Sequence, residues 1–395
     1  MIRACLLARL DSPRLRAATR ALPALLLALA LGGTSARAQY RPPRDQPNLA
    51  MTPAMKQEVV DSLAAAIEAK YVFPDVAKKT AAALRAKLKR GGYAGLDSAQ
   101  AFADSLSTDM RTIGNDLHFR VGYWNRPLSR DIYSEHGPSP EERAAQAAQS
   151  RRINYGFERI QRRFGNVGYL DLLGFDGSSE AGIAAMAAIT LLNNSDALII
   201  DLRRNGGGDP NMVTILMSWL TSGDDRVHVN DFYLRDGNRT EQYYTFTTFP
   251  GQHYAGRDVY VLTSSLTGSC AEEFAYDIKN LKRGTLIGET TTGAANPGDM
   301  VRLTDHFAAF VSNGRAVNPV SKTNWEGVGV EPDIKTSADD AFKTAHVAAI
   351  TRLLEQATDP ERRASLQRSL QAAKDAPVEP LNLPTAGPRP AGAPK

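Results

Sequence analysis

One stretch constrains this chain more than any other: Asp258–Glu289, DVYVLTSSLTGSCAEEFAYDIKNLKRGTLIGE. Val259–Thr263 is a β-rich run. A small-residue loop (Ser264, Ser265, Thr267, Gly268) carries it to Ser269. Directly afterwards Ala271, Phe274, Ala275, Ile278 and Leu281 recur at helical spacing, and a second β-rich run, Thr285–Gly288, follows. The order is strand, tight turn, helix, strand, with a serine where turn becomes helix. The first N–H groups of a helix lack internal partners and the helix dipole is positive there, so an oxyanion at that end is stabilised. A hydroxyl so placed becomes a nucleophile when a base removes its proton. The same residues, Ser269-Cys270-Ala271-Glu272, also spell a capping box, so a plain N-cap is the competing reading.

The chain's 395 residues, 43% of them hydrophobic, can bury a sizeable core in one or two domains. Five arginines (Arg3, Arg9, Arg14, Arg16, Arg20) precede the apolar run Ala21–Leu31. Ala36-Arg37-Ala38 then offers a small-x-small cleavage site. This pattern predicts a signal peptide over residues 1–38 and an exported protein, periplasmic or secreted. Gln39 rather than Cys follows the cut, so no lipoprotein anchor is expected, and the apolar run is too short to span a bilayer. Residues 1–38 hold six arginines and one aspartate. Without them, 47 basic and 43 acidic side chains become 41 and 42. The formal +4 therefore belongs to the leader, and neither nucleic acid nor stable membrane insertion is expected of the mature chain. Cys270 is then the single cysteine, so no internal disulfide is available.

Taken in order, residues 39–50 form a Pro-rich linker and residues 51–125 a helical subdomain with three helices, one from Thr52 that Pro74 interrupts, then about Val76–Leu88 and Ser98–Ile113. Asn115-Asp116-Leu117-His118-Phe119-Arg120-Val121-Gly122-Tyr123 turns into an alternating strand. Residues 126–152 form a polar connector, loop or solvated helix. Residues 153–340 form an α/β domain. Paired strands, a helix from Ser179, the buried strand Ala197–Leu202, Arg203-Arg204-Asn205-Gly206-Gly207-Gly208, a helix from Asn211 and strands at Val227–Leu234 and Gln242–Phe249 lead to the serine unit. Strand–helix alternation of this kind builds a parallel sheet with right-handed crossovers. Residues 341–374 are helical and 375–395 a disordered Pro/Ala-rich tail.

Three glycines after a buried strand permit close backbone approach. Beside Ser269 on a neighbouring strand, they could supply one oxyanion donor and the Cys270 N–H another. The alternative is an ordinary loop. It is neither a P-loop nor a dinucleotide fingerprint. The six histidines are scattered and HExxH is absent, so no metal and no cofactor are expected; GxSxG is absent too. Cys270 reads as a small buried hydrophobe behind the serine.

LTSSLTGSCAEEFAYDIKNLKRGTLIGETTTGAANPG, with IIDLRRNGGG before it and NWEGVGVEPDI after it, resembles the C-terminal processing (tail-specific) protease family. The similarity is to the branch of interphotoreceptor retinoid-binding protein repeats and the tricorn protease core, over residues from about 50 to 350. The resemblance implies a crotonase/ClpP-like α/β fold and a serine endopeptidase acting on peptides or unfolded proteins. It implies Ser269 as nucleophile, His118 as base, Glu326 as the acidic member, and the backbone of Gly206, Gly207 and Cys270 as oxyanion hole. Ala294 stands where the Ser–Lys members of the family place lysine, and Leu117 where the tricorn core places a bridging serine. No PDZ-like segment separates the helical unit from the sheet. The retinoid-binding members suggest the competing function, a non-catalytic module for an apolar ligand or a peptide.

Overall fold

The structure, a computed structural model, describes residues 42, 45–129, 139–378 and 380–381. The expected signal peptide, residues 39–41, 43 and 44 of the linker and residues 379 and 382–395 of the tail lie outside the described residues. So does 130–138 within the connector. The described residues cluster as one compact unit.

The helical region opens with α1 (Pro53–Lys70), α2 (Pro74–Lys89) and α3 (Ala99–Gly114). Thr52 and Ser98 accept N–H groups of the first turns of α1 and α3, and α1 and α2 begin on proline, whose fixed φ suits that position. Asn115, left-handed at φ 51°, ends α3 and turns the chain into β1 (Arg120–Tyr123). After α4 (Pro140–Arg152), a mostly exposed helix within the expected connector, come β2 (Phe157–Arg163), β3 (Val167–Leu172), α5 (Ser179–Leu192), β4 (Ala197–Asp201) and α6 (Pro210–Leu220). Then follow β5 (His228–Leu234), β6 (Arg239–Tyr244), β7 (Asp258–Thr263), α7 (Cys270–Asn280), β8 (Thr285–Gly288), β9 (Gly298–Arg302), β10 (Phe307–Ser312) and β11 (Gly314–Val317). β12 (Ile334–Lys335), α8 (Ala338–Gln356) and α9 (Pro360–Asp375) complete the described chain.

The central six-stranded sheet has the order β12-β8-β7-β4-β3-β2, parallel except for β2. Its strands alternate between two cores, as the two-residue period of a strand requires. Leu198, Ile200, Val259 and Val261 face a cluster built from α5, α6 and α7. Ala197, Ile199, Tyr260 and Leu262 face α8 and α9. Burial on both faces is why ALIIDL reads as a continuous apolar run. This is the α/β architecture expected, with its helical N-terminal part.

Two pairings were not visible in the sequence. β1 pairs with β10 and β10 with β9 in a second antiparallel sheet, so α1–α3 share a core with Phe307, Ala309 and Val311. β5 and β6, with β11, form a third sheet instead of joining the central one. β6 also starts earlier than the periodicity suggests, because the Asp236–Asn238 turn, with Gly237 at φ 69°, closes the β5–β6 hairpin.

Candidate active site

β4 and β7 are parallel neighbours, so the loops leaving their C-terminal ends lie side by side. Asn205 stitches them together. Its carbonyl accepts the Gly268 N–H at 3.0 Å, its Oδ1 accepts the Gly207 N–H at 2.9 Å, and its Nδ2 donates to the Leu172 carbonyl at 2.9 Å. The triple glycine is thereby pressed against the serine turn. Gly207 has φ 109°, and a Cβ there would stand 2.6 Å from the Ser269 Cβ and 3.0 Å from the Cys270 nitrogen.

Ser269 has φ 55° and ψ −127°, a conformation that L-residues rarely adopt and that needs a surrounding structure to hold it. Ser269 and Glu272 form the capping box that the sequence spells, with Glu272 accepting the Ser269 N–H at 2.9 Å, and Ser269 is half-buried. The N–H groups of Ala271, Glu272 and Glu273 go to the carbonyls of Gly268 and Ser269. Among the described residues, no acceptor takes the Cys270 N–H. Cys270 Sγ itself is buried and donates to the Gly208 carbonyl, and burial pushes its thiol well up, which suits a packing role.

Glu272 is fully buried and also accepts from Thr291 Oγ and the N–H groups of Gly293 and Ala294. Burial pushes its carboxyl up to about 7 against the pull of those donors. The loop after β8 is thus tied to the serine turn. A second carboxylate holds the next residues of the same loop: Glu326 accepts from the N–H groups of Ala295 (2.7 Å), Asn296 (3.0 Å) and Leu117 (3.0 Å). Leu117 precedes His118. Where the resemblance placed a bridging serine hydroxyl, the backbone N–H of Leu117 meets the glutamate instead.

His118 is buried, with its ring 5.4 Å from that of Phe310 and its Nδ1 without a hydrogen-bond partner. Burial first, then the Arg120 and Arg111 guanidiniums, pulls its pKa down to about 3, so the ring is neutral at physiological pH. Asp116, fully buried, accepts the His118 N–H at 3.0 Å and Asn296 Nδ2 at 3.1 Å, and burial pushes its carboxyl up. Burial and the charge of Asp116 push Glu326 up to about 8. One ligand atom each of Asp116, His118 and Glu326 lie within 4.8 Å of one another. It is the one group of the described residues with spacing that admits a metal ion, although N–H donors already occupy much of both carboxylates.

His118 and Glu326, distant in sequence, therefore meet, as do Ser269, Gly207 and Cys270. The two groups are joined through the loop of residues 290–298, but no hydrogen bond links Ser269 to His118. Gly207 N–H is already given to Asn205. The sequence reading missed Asp116, Asn205 and the loop-binding role of Glu272. The capping-box spacing was the one signal pointing at the last.

Comparison with known proteins agrees with this organisation. Residues 166–336 match Peptidase family S41, and residues 49–157 match the N-terminal domain of Peptidase_S41 in eukaryotic IRBP. The C-terminal processing peptidase, chloroplastic, of Tetradesmus obliquus is 29% identical over 177 residues, 43% of this chain and 35% of that protein. Carboxyl-terminal-processing peptidase 2, chloroplastic, of Arabidopsis thaliana is 29% identical over 173 residues, 42% of this chain and 31% of that protein. The chain thus spans about a third of the length of these curated relatives. Among solved structures, a photosystem II D1 C-terminal processing protease superposes with a TM-score of 0.45 at 17% identity, covering 73% of this chain and 94% of that one. The two matched segments, taken in order along the chain, place it in peptidase family S41.

Proposed function

We propose that this chain is an exported serine peptidase that hydrolyses peptide bonds in small or unfolded peptides. Ser269 Oγ attacks the carbonyl carbon. His118 takes the hydroxyl proton and returns it to the leaving amine, while Glu326 orients the ring and stabilises the imidazolium. The oxyanion site is the backbone of Gly206, Gly207 and Cys270. Cys270 N–H is the donor without an acceptor, and Gly207 N–H must leave Asn205 Oδ1 to serve. His118 must move toward Ser269 when substrate binds, since no hydrogen bond joins them. The observation that carries the reading is the strained, half-buried Ser269 at the start of α7, with a side-chain-free Gly207 packed against it.

The missing Ser269–His118 bond favours one competing reading, a carrier of apolar ligands on the same fold. Peptide-library cleavage by wild type and Ser269→Ala separates the two. The peptidase reading expects turnover by wild type and its loss, by three orders of magnitude or more, in the variant. Equal turnover by both rejects the nucleophile. Full activity in His118→Ala rejects only the base. No turnover by either, with saturable binding of an apolar ligand, installs the carrier.

A further inference from the structure

The opposite end of the central sheet carries a second feature. The serine turn leaves the C-terminal end of β7. The β2–β3 hairpin turn sits before the N-terminal end of β3, which is parallel to β4 and through it to β7. Between this turn and α9 lies a cavity of about 550 Å³. Arg162, Arg163, Gly165, Arg362, Ser365 and Ser369 are among the residues that line it. On α9 the last three recur at i, i+3 and i+7, so one helix face presents a guanidinium and two hydroxyls to the opening.

The charge there is one-sided. Arg362 is ion-paired with Asp196 and also donates to the Gly165 carbonyl. Arg163 meets only neutral groups, the Gln161 amide oxygen at 3.1 Å and the Phe342 ring at 5.0 Å. Arg162, paired through its backbone in β2, is exposed, and among the described residues its guanidinium has no ion pair or hydrogen bond. Three guanidiniums thus face one carboxylate, in a chain whose mature charge is close to neutral. Guanidinium groups offer paired N–H donors that match tetrahedral oxyanions, and serine hydroxyls complete such a shell. Phe164, 56% exposed, stands at the rim.

We propose that this cavity binds a phosphate-bearing anion, separately from the chemistry at Ser269. Arg162 supplies an exposed guanidinium, Arg163 one engaged by neutral groups alone, and Arg362, held in place by Asp196, a fixed one. The phosphate comes either from a soluble anion or from the headgroup of an anionic lipid, in which case Phe164 enters the interface beside it.

The test uses the full mature chain. Isothermal titration with inorganic phosphate and with pyrophosphate, at constant ionic strength set by sodium chloride, is run beside sedimentation with phosphatidylglycerol and phosphatidylcholine vesicles. Saturable binding of phosphate or pyrophosphate without vesicle binding assigns a soluble anion. Sedimentation with phosphatidylglycerol but not phosphatidylcholine assigns the lipid. In either case Arg162→Ala, an exposed substitution that leaves the fold intact, is expected to weaken binding at least tenfold. Ser369→Leu, which fills the cavity, is expected to do the same. Ser269→Ala is expected to bind as wild type, so the outcome is independent of peptidase activity. No binding to either anion or to the anionic vesicles overturns the proposal, as does binding unchanged by both Arg162→Ala and Ser369→Leu.

Discussion

Replacing Glu272 with glutamine tests whether a buried carboxylate holds the serine turn and the following loop in one arrangement. Four donors converge on it, two per oxygen. Thr291 Oγ and Gly293 N–H reach Oε1, both at 2.5 Å, and Ser269 N–H and Ala294 N–H reach Oε2, both at 2.9 Å. Glutamine keeps one oxygen and puts an NH2 in place of the other. If that NH2 takes the Oε2 side, it meets two N–H groups, neither of which can accept. If it takes the Oε1 side, the Thr291 hydroxyl can rotate and accept from it, and only the Gly293 N–H is stranded. The second orientation is the cheaper. It strands one buried donor, at about 1–3 kcal/mol, and replaces charged acceptors by neutral ones for roughly 1 kcal/mol more.

The expected cost of Glu272→Gln is therefore about 2–4 kcal/mol at pH 8.5. It is read from urea unfolding midpoints with an unchanged m-value. The cost should grow at pH 5.5, by about 2 kcal/mol: burial pushes this carboxyl up to about 7, so at pH 5.5 the folded wild type takes up a proton that the unfolded chain does not, and glutamine gains nothing from the change. Turnover of a peptide substrate should fall as well, because the N–H anchor of Ser269 is weakened. A variant within 0.5 kcal/mol of wild type at pH 8.5, with undiminished turnover, would refute the reasoning.

Two other outcomes follow from the same geometry. Gly207→Ala places a methyl 2.6 Å from the Ser269 Cβ on a backbone at φ 109°, so kcat/KM should drop about a hundredfold or more while circular dichroism stays native; near-wild-type kinetics would remove Gly207 from the site. Glu326, pushed up to about 8 from an ordinary 4.5, holds its proton more tightly folded than unfolded. The stability this gives is complete below about pH 4.5 and is lost as pH rises through about 8. Calorimetric Tm should fall less steeply between pH 5 and 8 in Glu326→Gln than in wild type, and superimposable slopes would contradict the burial argument.

What the sequence made legible was whatever has a local period or a local chemical exception. Val59, Leu63 and Ile67 mark α1, ALIIDL marks β4, and the change from period two to period 3.6 at Ser269 marks the β7–α7 junction. Short strands without a period of their own escaped: β11 and the two-residue β12 are defined only by the partners they meet. The β1–β10 pairing escaped for the same reason, since it joins an N-terminal strand to one almost two hundred residues further on, at Phe307–Ser312. Asp116 and Asn205 escaped because much of what they bind is backbone, and every residue but proline carries an N–H.

That choice of partner explains why the two halves of the site can differ in sequence from relatives and still be linked. Glu272 and Glu326 grip consecutive residues of one loop, Gly293 and Ala294 on one side, Ala295 and Asn296 on the other. The first carboxylate also holds Ser269, on the oxygen that takes Ala294, and the second holds Leu117, next to His118, on the oxygen opposite the loop. Each contact uses a main-chain N–H, so a leucine at 117 serves as well as a serine would. A shift of the loop on substrate binding would move the serine turn and the histidine turn together. The geometry tolerates Leu117 for this reason: the glutamate grips main chain on both sides, and the side chain at 117 takes no part in the link.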